Sequence, residues 1–108
     1  MPESKAFPAI LRALADPTRR AVFEQLCRRE MSVSELKEGF PISQPAISQH
    51  LATLKAAGLV CERREGRFAL YRAEPRGLSP LAEWVDRYRE FWPERIEKLK
   101  RLLKEMES

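Results

Sequence analysis

A mainly α fold carrying one small β-hairpin is what this 108-residue sequence predicts, and three observations carry the prediction. Apolar residues recur at helical spacing along most of the chain, the period drops to 2 at one place, and a near-heptad of large apolar residues fills the C-terminal quarter. The length suits a single domain over residues 1–108, with a modest core that gains from association.

Residues 4–15 read as a first helix with Ile10, Leu11 and Leu14 apolar. "DPTRR" ends it: Asp16 is an N-cap for the next helix, and Pro17 takes the first helical position, where its missing N–H costs nothing. That second helix runs to about Arg29 on a stripe of Ala21, Val22, Phe23 and Leu26. "SVSE", from Ser32 to Glu35, has the spacing of a capping box and starts a short third helix that stops near "GFP". After a turn from Gly39 to Ile42, Ser43 caps a fourth helix that Gly58 closes, which makes a helix-turn-helix. "LVCERRE" and "RFALYRA" then flank a glycine and read as a hairpin turning at Glu65-Gly66. From Ser79 as N-cap and Pro80, the last helix places Leu81, Val85, Tyr88, Trp92, Ile96, Leu99, Leu103 and Met106 at spacings of 4, 3, 4, 4, 3, 4 and 3, with a kink at Pro93. About five helices, a two-stranded wing and a long C-terminal helix describe a winged helix-turn-helix.

The fourth helix has an unusual outer face. Ile47, Leu51 and Leu54 form its apolar stripe, but opposite them stand Pro45, Ser48, Gln49, Ala52, Thr53 and Ala56, where a plainly solvated helix would carry Glu and Lys. Such a face suits close contact with another molecule. The net charge of +4 is unevenly spread: Gln44 to Arg72 holds five bases against two acids, whereas Ala73 to Ser108 holds eight of each. The basic excess therefore sits on the fourth helix and the hairpin, which favours a polyanionic partner.

Several classes are excluded. No apolar run approaches the roughly 20 residues of a membrane span, and "MPESKAFPAI" lacks the order of a secretory signal, so a cytoplasmic protein without a membrane partner is expected. Cys27 and Cys61, with His50 as the one histidine, are too few for a disulfide framework or a structural metal site, and are expected as buried thiols. No Ser or Cys has a plausible base and no glycine loop could cradle phosphate, so neither an enzyme nor a cofactor is expected.

Taken together, "LADPTRRAVFEQL", "SELKEGF", "SQPAISQHLATLKAAGLV" and "ERREGRFALYR" resemble the ArsR/SmtB family of bacterial transcriptional repressors, in motifs from about Leu11 to Arg72 and in layout beyond. The resemblance implies a homodimer that binds a palindromic operator in double-stranded DNA and releases it when an effector binds. The chemistry of the residues agrees. Gln44, Pro45, Ser48 and Gln49 lie at the helix start, where base edges are reached; Gln can bond adenine N6 and N7 together, and Ser can meet a base or a phosphate. Ser43 and the free N–H groups of the first turn point at phosphate, Thr53 and Lys55 flank the face, and His50 is a boundary residue that packs and touches the backbone. Arg63, Arg64, Arg67 and, more weakly, Arg72 are expected to grip phosphates, although such arginines also serve solubility. The DNA-binding core is about 16–73, and dimerisation falls to 4–15 and 79–107 through Leu81, Trp84, Val85, Tyr88, Phe91, Trp92, Ile96, Leu99 and Leu103. Tyr71 and Phe68 are assigned to the hairpin and core.

The departures from the family bear on the effector. Many members sense metal through a Cys pair in the third helix or His and Asp on the last; here "SVSELKEGF" has neither Cys nor His, and Asp86, Glu90 and Glu94 read as a solvated face, so no metal is expected. A disulfide switch through Cys27 and Cys61 would resemble other members, but no basic cluster beside both thiols is evident. The aromatic group Trp84, Tyr88, Phe91 and Trp92 reads as interface, with an apolar effector pocket as the alternative. The sequence names no effector. A winged helix used for protein contact is the competing function, since fold does not settle function.

Overall fold

The computed structural model describes residues 5–91 and 94–107. Its elements run α1 (Ala6–Ala15), α2 (Pro17–Arg28), β1 (Met31–Ser32), α3 (Val33–Glu38), α4 (Gln44–Ala56), β2 (Val60–Glu65), β3 (Phe68–Ala73), α5 (Ser79–Arg87) and α6 (Glu94–Glu107), with short 3-10 turns at Pro75–Leu78 and Arg89–Phe91. The expected start of the first helix at Ser4, and Trp92 and Pro93, lie outside the described residues.

Local chemistry sets most of the boundaries. The Asp16 carboxylate accepts from the Arg19 backbone N–H at 3.0 Å and Pro17 opens α2, so the free donors of that helix end are partly satisfied. The same motif closes the helix before it: Arg19 donates from Nε to the Ala13 carbonyl at 2.7 Å and from Nη2 to the Arg12 carbonyl at 2.9 Å, and Arg20 reaches the Leu14 carbonyl. "DPTRR" thus starts one helix and caps the carbonyl end of another. Ser32 and Glu35 form the full reciprocal capping box, and the Ser43 hydroxyl accepts from the Ala46 N–H.

The stripes of α1 to α4 meet in one buried cluster. Ile10, Val22, Leu36, Ile47, Leu51, Leu54 and Leu59 are sealed from solvent, and no polar side chain is buried among the described residues. Each Leu or Ile so buried is worth about 1.5 to 3 kcal/mol over its exposed state. This cluster fixes α4 against the other helices by its inner face and leaves the outer face bare.

The sheet has three strands where a two-stranded wing was expected, in the order β1-β3-β2, all antiparallel. Met31 pairs with Tyr71 and Ser32 with Leu70, so the residues that lead into the capping box also hold the wing to the helices. The hairpin turns one residue later than expected: Glu65 pairs with Phe68, leaving Gly66-Arg67 as a two-residue loop. Gly66 has φ +60 and Arg67 does not have positive φ, which is the II′ pattern that matches strand twist.

The C-terminal part departs further. The expected kink at Pro93 lies outside the described residues, but the helical run from Ser79 already stops at Arg87, with a 3-10 turn over Arg89–Phe91 before α6, and the described helices number six. Ser79 is not the N-cap. It is the first helical residue, because the 3-10 turn Pro75–Leu78 runs straight into α5 and leaves no extended residue to cap from. That turn lies against the end of α4: a Cβ at Gly77 would stand 2.1 Å from the Gly58 carbonyl oxygen, so only glycine permits this approach. The Glu74 N–H donates to the Leu59 carbonyl at 2.7 Å beside it. Two further expectations are corrected. Cys27 is exposed and Cys61 half-buried, and Phe68 stands 67% exposed at the tip of the wing, where it pairs with Glu65 beside the turn.

Candidate nucleic-acid interface

The outer face of α4 is built as the residue types suggested. Gln44, Pro45, Ser48, Gln49 and Ala52 are exposed, Ser43 precedes them at the helix N-terminus, and no charged side chain interrupts them. Thr53 turns its hydroxyl inward to the Gln49 carbonyl at 3.1 Å, so it is tied to its own helix. His50 lies at the edge of the face. Its Nδ1 is 3.4 Å from Arg19 Nη1, within reach of that guanidinium. Arg19 was not singled out in the sequence, yet it joins the end of α1 to α4.

On one flank of this face stands the wing. Lys55 Nζ meets Glu62 at 2.9 Å, and Glu62 stands opposite Tyr71 in the β2–β3 pair. The Lys55 hydrogen bond holds the Glu62 carboxyl below its usual range, Glu62 raises the Lys55 ammonium, and burial together with Glu62 pushes the Tyr71 phenol up. Side chains alternate along a strand, so Glu62 and Arg64 share the face that Lys55 reaches, while Cys61 and Arg63 take the other.

The four wing arginines therefore divide. Arg63 is a fork on Glu30, at 2.8 Å from Nε and 2.7 Å from Nη2, with Glu65 at 3.1 Å. Arg72 donates from Nε to Cys61 Sγ at 2.8 Å and pairs with Glu74 at 3.1 Å, while Cys61 donates to Glu74 at 3.4 Å. Arg64 and Arg67 are exposed and make no ion pair among the described residues. Sequence reasoning could not separate the four, because Glu30 lies 33 residues from Arg63. Burial, then Glu24, raises the Cys27 pKa.

The apolar seam of the last quarter is bare among the described residues. Leu81 and Val85 are half-buried, but Trp84, Tyr88, Phe91, Ile96, Leu99 and Leu103 are all exposed. Phe7, absent from the expected set, begins an aromatic row: its ring lies 5.8 Å from Trp84, Trp84 lies 5.0 Å from Tyr88, and Tyr88 lies 6.3 Å from Phe91. Leu102 is also exposed on α6, and its place three residues after Leu99 was the signal that could have found it. Among the described residues no group of His, Cys, Asp and Glu could hold a metal ion, and no helix is long and apolar enough to cross a membrane.

A model of the bacterial arsR family of regulatory proteins matches residues 16–61, which is the segment from the α2 cap through the helix-turn-helix to the first residues of the wing. An HTH-type transcriptional regulator of Mycobacterium tuberculosis is 47% identical over 76 residues, 70% of this chain and 71% of its own length. This chain belongs to the arsR family. The HTH-type transcriptional repressor SmtB of the same organism is 49% identical over 72 residues, and the match spans 67% of this ArsR-family chain but only 53% of that relative. Among solved structures, an ArsR-like transcriptional regulator from Rhodococcus sp. RHA1 superposes with TM-score 0.72 at 33% identity, covering 90% of this chain and 92% of that one. The ArsR-family chain is thus a DNA-binding transcriptional regulator of winged helix-turn-helix fold, and its relatives are regulators, not enzymes.

Proposed function

We propose that this regulator is a homodimer that represses transcription by binding a palindromic operator, with residues 16–73 as the DNA-binding core and 4–15 and 79–107 as the dimerising parts. The observation that carries the reading is the uncharged, exposed outer face of α4 beside a wing whose Arg64 and Arg67 make no ion pair among the described residues. Gln44, Ser48 and Gln49 read base edges in the major groove, Pro45 and Ala52 let the helix lie close, and Ser43 with the first-turn N–H groups meets phosphate. Arg64 and Arg67 grip the backbone; Lys55 acts through Glu62, and His50 positions α4 through Arg19. Arg63 and Arg72 hold the wing in shape rather than touching DNA, since both are closed in ion pairs.

The dimer reading is supported by the bare seam. An apolar stripe running from the Trp84 row to Leu103 is too long to leave in water on a chain of this size, and a second copy is the partner that a self-complementary helix face admits. Repression is supported by a relative whose name is that of a repressor. Sequencing genomic fragments retained by the full chain tests the proposal. Two inverted half-sites about one helical turn, roughly 34 Å, apart are expected. A single unrepeated motif would overturn the dimeric reading.

A further inference from the structure

The outer face of α4 has two flanks, and the wing occupies one. On the other, α1 and α4 enclose an open groove of about 380 Å³ lined by Ala9, Arg12, Gln49, Ala52, Thr53 and Ala56. From this geometry we infer that Arg12 is a phosphate contact, gripping DNA on the flank of α4 opposite the wing. The inference rests on α4 being the helix that reads the operator.

Three features carry it. The groove floor is alanine, which leaves room for a nucleic-acid backbone, and no carboxylate lines it. Arg12 is the one cation in that lining; it is exposed and its side chain makes no ion pair among the described residues. It also stands at a fixed offset from the reading residues. The Arg12 carbonyl accepts from Arg19 Nη2 at 2.9 Å, and Arg19 reaches on to His50, so the last turn of α1 is bolted to α4. The backbone that carries Arg12 is therefore held relative to α4, and only its own side chain has to order on binding.

The dimensions of DNA give Arg12 something to meet. A helix with its side chains is about 10–12 Å across and the major groove is about 12 Å wide, so a seated helix has a phosphate wall on each side. Arg64 and Arg67 serve the wall on the wing side. Arg12 faces the other.

The test is the salt dependence of binding to a fluorescent mixed-sequence duplex by the full chain and its R12A, R12K, R64A and R101A variants. Each phosphate contact contributes about 0.9 to the slope of log affinity against log salt, so a dimer losing two contacts loses about 1.8. The advantage of the wild type over R12A should then shrink about twelvefold when salt is raised fourfold. R12K should keep the wild-type slope, because a point charge suffices for phosphate, and R101A, on α6, reports the effect of net charge alone. Thermal midpoints of all variants check that the fold is kept. A slope for R12A no lower than that for R101A, with R64A still lowered, would overturn the assignment of Arg12 while leaving the α4 reading intact. A wild type without salt-dependent binding would remove both.

Discussion

Replacing Gly77 by alanine tests the joint between the helix-turn-helix and the C-terminal helices. The added Cβ would lie 2.1 Å from the Gly58 oxygen, 2.9 Å from the Gly58 carbonyl carbon and 3.2 Å from Leu59 Cδ2. Carbon and oxygen rest no closer than about 3.3 Å, so the 3-10 turn must back away by roughly 1 Å, and the atom it meets is backbone that cannot swing aside. Such overpacking costs about 1 to 3 kcal/mol. The retreat also pulls on the Glu74 to Leu59 hydrogen bond of 2.7 Å, worth about 1 kcal/mol more if lost. A total of about 2 to 4 kcal/mol corresponds, for a domain of this size, to a melting midpoint lowered by roughly 10 to 20 °C. Thermal unfolding followed by circular dichroism at one fixed protein concentration reads it, since an associating chain melts in a concentration-dependent way. Gly58→Ala is the comparison. Gly58 has φ +77 but nothing within 4 Å of its added Cβ, so its penalty is the left-handed backbone alone, about 1 to 2 kcal/mol. Should Gly77→Ala melt within a few degrees of the wild type, or above Gly58→Ala, the reasoning fails.

Reading and gripping separate by mutation. Gln44→Ala or Gln49→Ala should relax discrimination at one base position by about 1 to 3 kcal/mol, whereas Arg64→Ala or Arg67→Ala should weaken all sequences alike; competition with single-base operator variants measures both. Truncation after Tyr88 should give a monomeric or aggregating chain that loses tight operator binding although every DNA-facing residue remains, and a well-folded dimer in sedimentation would contradict this. Acid should unfold the protein along a limb set by its paired carboxylates. The Arg19 N–H lowers Asp16, Arg63 lowers Glu30, the Ser32 N–H lowers Glu35 and Lys55 lowers Glu62. Their ionised forms favour the fold, so their contribution is complete above the ordinary values of 3.8 to 4.5 and disappears as pH falls through the lowered ones. Glu30→Gln and Glu62→Gln should flatten that limb in pH-dependent melts.

What the sequence made legible was chemistry local to a turn. Asp16-Pro17, Ser32 to Glu35 and Ser43 each carry a helix start within four residues, and each is found there with its hydrogen bond made. The outer face of α4 was legible because the absence of charge is visible in one helix wheel. β1 was hidden, since two residues cannot display a period, and Met31–Ser32 already had a local explanation in the capping box. The arginines were hidden for a different reason: Arg63 finds Glu30 only after the sheet forms. The break between α5 and α6 escaped because a heptad seam records which side chains share a face, and that record is the same whether the backbone beneath is continuous or jointed.

The sheet order β1-β3-β2 leaves β2 with an unpaired edge, and such an edge is a template on which a neighbouring chain can add a strand. The residues along it read Val-Cys-Glu-Arg-Arg-Glu from Val60 to Glu65, so four consecutive charges run toward the tip. Stacked edge to edge, two such strands would bring like charges together, and the wing resists fibrillation by the same residues that give it its polarity. Variants that strip Arg64 of its charge therefore weaken a guard against aggregation as well as a grip on phosphate. A lysine in its place keeps the guard while altering the grip.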